Sequence, residues 1–152
     1  MKRVLIIEDG LEYSETLGRF LGDAFAFERA GSGPAAIERL QGGAPVDVVF
    51  LDMRFDRTPE AELLGDLDEL LDRFNGDPEQ ARRFREDHQG TYVLAALRDA
   101  GLTVPVLVSY DFDGEPRRWT RLAQRFGPAD YVPDNASPQD LSQKLATLAA
   151  SG

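Results

Sequence analysis

The chain has 152 residues, 42% hydrophobic and 29% charged, enough for one domain with a proper core, and its formal net charge of −10 argues against nucleic acid, whose phosphates need a basic footprint. The absence of cysteine removes disulfide frameworks and thiolate metal sites, and no apolar run approaches the roughly 18 residues of a membrane span. The start MKRVLIIEDG runs from two basic residues straight into a strand-like stretch with no signal-peptide core, so a cytoplasmic location is expected.

In chain order, apolar runs at Val4–Ile7, weakly at Phe25–Phe27, at Val46–Leu51, Val104–Val108 and Tyr131–Val132 are each bounded by turn or charged residues. Runs that are apolar on both faces suit strands covered by helices on both sides. Helical periodicity fills the intervals. Tyr13, Leu17, Phe20 and Leu21 form one stripe. Pro34 stands at a first helical position and Gly42-Gly43 at an end. Tyr92, Val93, Ala96, Leu97 and Ala100 form a stripe closed by Gly101, and Trp119, Leu122, Ala123 and Phe126 one closed by Gly127. A last helix opens with Ser137 as cap and Pro138 in its first turn, then carries Leu141, Leu145 and Leu148. Five strand–helix units predict an α/β fold with a doubly wound, five-stranded parallel sheet, because parallel strands need crossover helices. The basic stretch Arg117–Arg121 reads as the solvated face of a short helix behind a buried Trp119.

Arg54–Gln89 is too long for a βα loop and is read as a helical insertion, at about 58–89, after the third strand. Leu63, Leu64, Leu67, Leu70, Leu71 and Phe74 trace one stripe, predicting an amphipathic helix with an acidic outer face. Asp77 and Pro78 open a second helix, expected to lie on the surface. The stripe must be buried either on its own domain or on a second chain. On both alternatives the insertion is expected to set partner choice, and its exchange for a short loop to leave a folded domain. His88, the single histidine, is read as a solvated helix residue without chemistry.

In open parallel sheets, ligands gather at the carboxyl ends of the strands where the chain order reverses. Glu8 and Asp9 close the first strand there and Asp52 the third. Three carboxylates converging at one edge repel unless a hard cation such as Mg²⁺ joins them. Ser109 closes the fourth strand with a hydroxyl that can donate to an anion at that edge.

In order, the strings VLIIED, VVFLDM, PVLVSY and ADYVP resemble the receiver domains of bacterial response regulators, with nearly the whole chain taking part. The resemblance implies a flavodoxin-like fold, Mg²⁺ held by Glu8, Asp9, Asp52 and the backbone carbonyl of Arg54, and Asp52 as acceptor of a phosphoryl group from a histidine kinase. It also implies Ser109 and Tyr131 as switch residues. Three positions depart from the pattern. Where the family keeps a lysine after the fifth strand, this chain has Asp134, and its two lysines, Lys2 and Lys144, lie elsewhere. The interval from Asp52 to Ser109 is about twice that of a regular unit. Tyr110 replaces a small residue.

A lysine-to-aspartate exchange removes a charge-assisted contact worth roughly 1.5–3 kcal/mol and adds a negative charge. Arg54 and Arg57 are the available substitutes. The expectation is an atypical, stand-alone receiver domain over residues 1–152, with no output domain. It is not an enzyme, and acts through protein–protein contacts with a kinase, a downstream signalling protein or a second copy, with phosphorylation at Asp52 weakened or absent. The alternatives are a phosphorylation-competent, Mg²⁺-dependent receiver and, remotely, a haloacid-dehalogenase-like phosphohydrolase with Asp52 as nucleophile. Arg54 stands where the latter needs a second aspartate.

Overall fold

The computed structural model describes residues 1–151. Strands β1 (Lys2–Ile7), β2 (Phe25–Ala30), β3 (Val48–Asp52), β4 (Val106–Ser109) and β5 (Ala129–Val132) form one parallel sheet in the order β2-β1-β3-β4-β5. This is the expected doubly wound arrangement, and the order reverses between β1 and β3. Alternate strand residues feed two cores. Val4, Ile6, Val48, Phe50 and Leu107 face α1 (Glu12–Leu21) and the last helix, while Leu5, Ile7, Val49, Leu51, Val106 and Val108 belong to the core on the other side. That second core is covered by α2 (Gly33–Gln41) and by two later helices described below. β3 and β4 each begin two residues later than their apolar runs, because Val46 and Val104 are lead-in residues packed on the core rather than paired in the ladder.

The insertion departs from its expected form. The six-residue stripe does not lie on one helix. After a 3-10 turn at Glu60–Glu62, Leu63 and Leu64 run extended into the second core. Gly65 then adopts φ +108, a left-handed conformation that breaks the helix and that glycine alone tolerates without strain. Asp66 caps a short α3 (Leu67–Arg73) by accepting from the amides of Asp68 and Glu69 at 3.0 and 3.2 Å. Its neighbour α4 (Pro78–Asp87), capped by Asp77 as expected, lies at the surface with Pro78–Gln80, Arg82 and Arg83 exposed, and buries one face through Ala81 and Arg85. Arg85 on it is only 6% exposed in its side chain and pairs with Glu60 at 3.2 Å, and the Glu86 carbonyl accepts the amide of Phe55. Phe74 and Phe84 close the seam between the two helices, with ring centroids 5.5 Å apart.

The insertion therefore packs on its own domain, and through Leu63 it belongs to the core. Leu63 shares that core with Phe55 and Val93, so exchange of the segment for a short loop would expose part of it. The chain returns to regular alternation through α5 (Gln89–Asp99), where Gly90 lies so close to the end of β3 that an added Cβ would sit 2.6 Å from the Asp52 carbonyl oxygen. Helices α6 (Pro116–Phe126) and α7 (Pro138–Ser151) complete the fold, α5 and α6 against the second core and α7 against the first. Phe20, expected on the buried stripe of α1, is 60% exposed, because Leu17 and Leu21 already fill the space between that helix and the sheet. Among the described residues no helix is long and apolar enough to cross a membrane.

Buried Gln89 ties the insertion to α5. Its Oε1 accepts from the Leu64 amide at 2.8 Å, and its Nε2 donates to the carbonyls of Leu64 (2.9 Å) and Arg85 (3.3 Å). Gln89→Leu retains bulk but strands these backbone groups, and is expected to cost about 1–3 kcal/mol. The effect will be read as a lower urea midpoint at unchanged slope. An unaltered midpoint would show that this tie contributes nothing.

Candidate functional site

At the carboxyl edge of the sheet the three acids do not converge as the sequence suggested. Glu8, 1% exposed, turns its carboxylate onto the start of α1, accepting from the Tyr13 amide (3.0 Å), the Ser14 amide (2.7 Å) and the Ser14 hydroxyl (2.7 Å). Leu11, at the formal cap position, offers no side-chain acceptor, so Glu8 supplies the cap from upstream. Arg29 at the end of β2 pins the same loop, donating to the carbonyls of Gly10 (2.6 Å) and Glu8 (3.1 Å). Asp9 is satisfied differently. Its carboxylate, 3% exposed, accepts the Arg57 amide at 2.6 Å and lies 3.7 Å from the Arg57 guanidinium, which also pairs with Glu12 at 2.8 Å. Among the described residues no group of three or more acids, histidines or cysteines is arranged to hold a metal ion.

Asp52 ends β3 directly opposite Ser109 in the β3–β4 register. Its Oδ1 accepts the Met53 amide at 2.9 Å. Burial, reinforced by the charges of Asp9, Glu8 and Glu12, pushes its carboxyl up to about 6, against the pull of the Met53 amide. No cation pairs with it among the described residues: Arg54 points its guanidinium to Asp87 (3.1 Å) and Asp56 (3.5 Å), and Arg57 is held by Asp9 and Glu12. Lys144 donates to the Tyr131 carbonyl at 2.6 Å and pairs with Asp130 at 3.4 Å, while Lys2 begins β1 at the other end of the strand.

Asp52 and Ser109 border a cleft of about 620 Å³. Asp52, Asp134, Asp87 and Glu12 contribute its negative charge, Arg54 and Arg57 its positive charge, and Tyr13 and Tyr110 its aromatic walls. The Tyr110 hydroxyl donates to Glu115 at 2.7 Å. Ser109, 3% exposed, shares a hydrogen bond with the Tyr13 hydroxyl at 2.8 Å, and the Tyr13 ring rests on Phe50 with centroids 4.9 Å apart. Burial raises the Tyr13 phenol above its ordinary value, opposed by the bond to Ser109 and assisted by the charges of Asp52, Asp134 and Glu8. Tyr131 stands apart from the cleft lining: its hydroxyl donates to Asp113 and its ring packs on Phe112 and Trp119.

Among the cleft residues to which sequence reasoning gives no role are Tyr13 and His88. Tyr13 was read as a plain core position, although a tyrosine in an apolar stripe brings a hydroxyl that needs a partner. His88 is only partly solvated. It is half-buried at the α4–α5 junction, stacked on Phe84 at 4.0 Å with Nδ1 2.9 Å from the Phe84 carbonyl, and it lines the cleft.

No family model matches the sequence, and no curated protein does. Solved structures match along nearly the whole length. The Francisella response regulator 1452 receiver domain superposes with a TM-score of 0.67 at 14% identity, covering 99% of this chain and 98% of that one. The fold is that of a receiver domain. The Vibrio cholerae chemotaxis protein CheY4 gives 0.62 at 16% identity over 97% of this chain and 98% of its own. The N-terminal domain of a response regulator/sensory box/GGDEF 3-domain protein from Carboxydothermus hydrogenoformans gives 0.62 at 20% over 99% and 95%. In this receiver fold Asp52 occupies the end of the central strand, at the point where the chain order reverses.

The raised Asp52 carboxyl couples to stability. Below its unfolded value of about 3.8 both states hold the proton; between there and about 6 the folded state keeps a proton that the unfolded chain has released, so stability falls as pH rises. Above about 6 the full penalty is present. Asp52→Asn is therefore expected to exceed the parent in stability by about 1–3 kcal/mol at neutral pH without divalent ions, with the gain vanishing below the unfolded value. Urea unfolding across this range checks it, and a pH-independent difference would contradict it.

Proposed function

We propose that this chain is a receiver-type signalling module that works by binding another protein, with phosphoryl transfer to Asp52 weakened. The observation carrying this reading is the charge of the cleft: Asp52 shares it with Asp134, and neither lysine of the chain lines it. Transfer requires an Asp52 oxygen to attack phosphorus while the donor departs with the electron pair of its own bond, leaving an acyl phosphate. At neutral pH a carboxyl titrating near 6 is about nine-tenths ionised, so the nucleophile is present. The product would bring further negative charge beside Asp9, Asp134 and Glu12 without a lysine ammonium to meet it.

The residues fit Mg²⁺ in part. Asp9, Asp52 and the Arg54 carbonyl would supply oxygen donors of the kind Mg²⁺ takes, Asp9 only once its contacts with Arg57 give way, whereas Glu8 is engaged as the α1 cap. Bound there, Mg²⁺ would neutralise oxygens of the incoming phosphoryl group. A second reading, full phosphorylation competence, is favoured by Arg54 and Arg57 lining the same cleft as Asp52. For either to serve, its ion pairs with Asp87 or with Asp9 and Glu12 must break. The partner is a histidine kinase or a downstream signalling protein, and the acidic outer face of α3, with Asp68, Glu69 and Asp72, is the part of the insertion that sets the choice.

Incubation with acetyl phosphate and Mg²⁺, read by intact mass, tests the proposal. Labelling of the parent is expected to be low and lost in Asp52→Asn. Asp134→Lys is expected to raise it at least about tenfold, the equivalent of one charge-assisted contact. Stoichiometric labelling of the parent, unchanged in Asp134→Lys, would favour the fully competent receiver instead.

A further inference from the structure

Tyr13 is a cleft residue that the sequence analysis placed only in the apolar stripe of α1, and three restraints hold it. Its amide donates to Glu8, its ring rests on Phe50, and its hydroxyl meets Ser109 at 2.8 Å. Ser109 in turn is buried, lies opposite Asp52 in the β3–β4 register, and shares the cleft with it, yet makes no hydrogen bond to the Asp52 carboxylate. Between the two hydroxyls there is one bond, so one proton lies in it and the other is free. A phenol is a far stronger acid than an aliphatic alcohol and keeps its proton at neutral pH, so the favoured arrangement has Tyr13 donating and Ser109 accepting. The Ser109 proton is then left for an acceptor other than Tyr13, at the strand end it shares with Asp52.

We infer that Tyr13 is a positioning residue for this cleft, fixing the Ser109 hydroxyl as a donor to an oxyanion carried on Asp52. The inference rests on the reading of Asp52 as an anion-accepting site and adds to it a residue and a direction. A bond received by an oxygen strengthens the bond that its own proton donates, so Tyr13, Ser109 and the oxyanion form a cooperative chain. That chain brings two aligned dipoles to a site that lacks a lysine. It also explains why a tyrosine here does not simply pack. Its ring contacts Phe50 as a leucine would, but its hydroxyl reaches across from α1 to β4.

The test uses beryllofluoride with Mg²⁺, a phosphoryl mimic, titrated against the full chain and followed by the bound fluorine resonances in NMR. Tyr13→Phe keeps the ring on Phe50 and removes only the hydroxyl. It is expected to weaken beryllofluoride binding about three- to tenfold, matching Ser109→Ala, with the double variant no weaker than either single one. Asp134→Lys is run in parallel, so that binding too weak to titrate in the parent is measured in that background. Unchanged or tighter binding in Tyr13→Phe overturns the positioning role while leaving Asp52 an anion site. Independent, additive losses in the two single variants overturn it as well. Absence of bound fluorine in both the parent and Asp134→Lys overturns the underlying reading of Asp52, and the positioning role with it.

Discussion

A half-buried carboxylate at an acidic sheet edge, with no cation paired to it among the described residues, is the constraint on which the rest of this structure turns. Asp52 reaches that position because β3 is the central strand, flanked by β1 and β4 and buried on both faces by helices. The burial that makes β3 stable is also the main reason its terminal carboxyl is pushed up to about 6. The surroundings divide the negative charge rather than concentrate it. Glu8 is turned onto α1, Asp9 is met by Arg57, and Asp134 stays exposed at the rim. Each acid other than Asp52 thus has its own arrangement with water, a helix start or a guanidinium.

The insertion after β3 belongs to this economy of charge. The chain leaving β3 brings Arg57 to Asp9 and Glu12, and the insertion brings Asp87 to Arg54, so both arginines that stand nearest in sequence to Asp52 are held by carboxylates before any ligand arrives. The insertion also delivers His88 to the cleft wall on a stack with Phe84. Gly90 then lets α5 start against the backbone of Asp52 and Met53, with its amide donating to the Met53 carbonyl at 2.9 Å. A side chain at that position would push α5 away and open the wall of the cleft. The outer face of the insertion and the wall of the cleft are consequently linked by one continuous packed segment.

Much of the architecture was legible because it rests on local signals. Runs such as VLII and VVFL are apolar on both faces, as strands of a helix-covered parallel sheet are, and Asp77 and Ser137 cap their helices with their own side chains. The acids at the ends of β1 and β3 followed from the same runs. The directions of their side chains did not. Glu8 serves a helix that begins four residues later, a choice made by the geometry of the β1–α1 loop rather than by residue type. The break at Gly65 was masked because Leu63 and Leu64 continue the helical spacing of the stripe while serving the core from extended backbone. Phe20 fits its stripe equally well, but two leucines had already filled the interface. Tyr13 owes its place to Ser109, a partner distant in sequence that no periodicity encodes, whereas His88 is held by Phe84 four residues earlier and meets the cleft only through the packing of α4 and α5.

The central claim is most directly tested by a carbon NMR titration of the Asp52 carboxyl, assigned by its loss in Asp52→Asn and recorded without divalent ions. The account predicts a midpoint near 6 in the parent, moving downward in Asp134→Lys as a cation enters the cleft. A midpoint near the ordinary 3.8, unmoved by that substitution, would contradict it, because Asp52 would then be a solvated strand-end acid rather than a half-buried carboxylate without a cation.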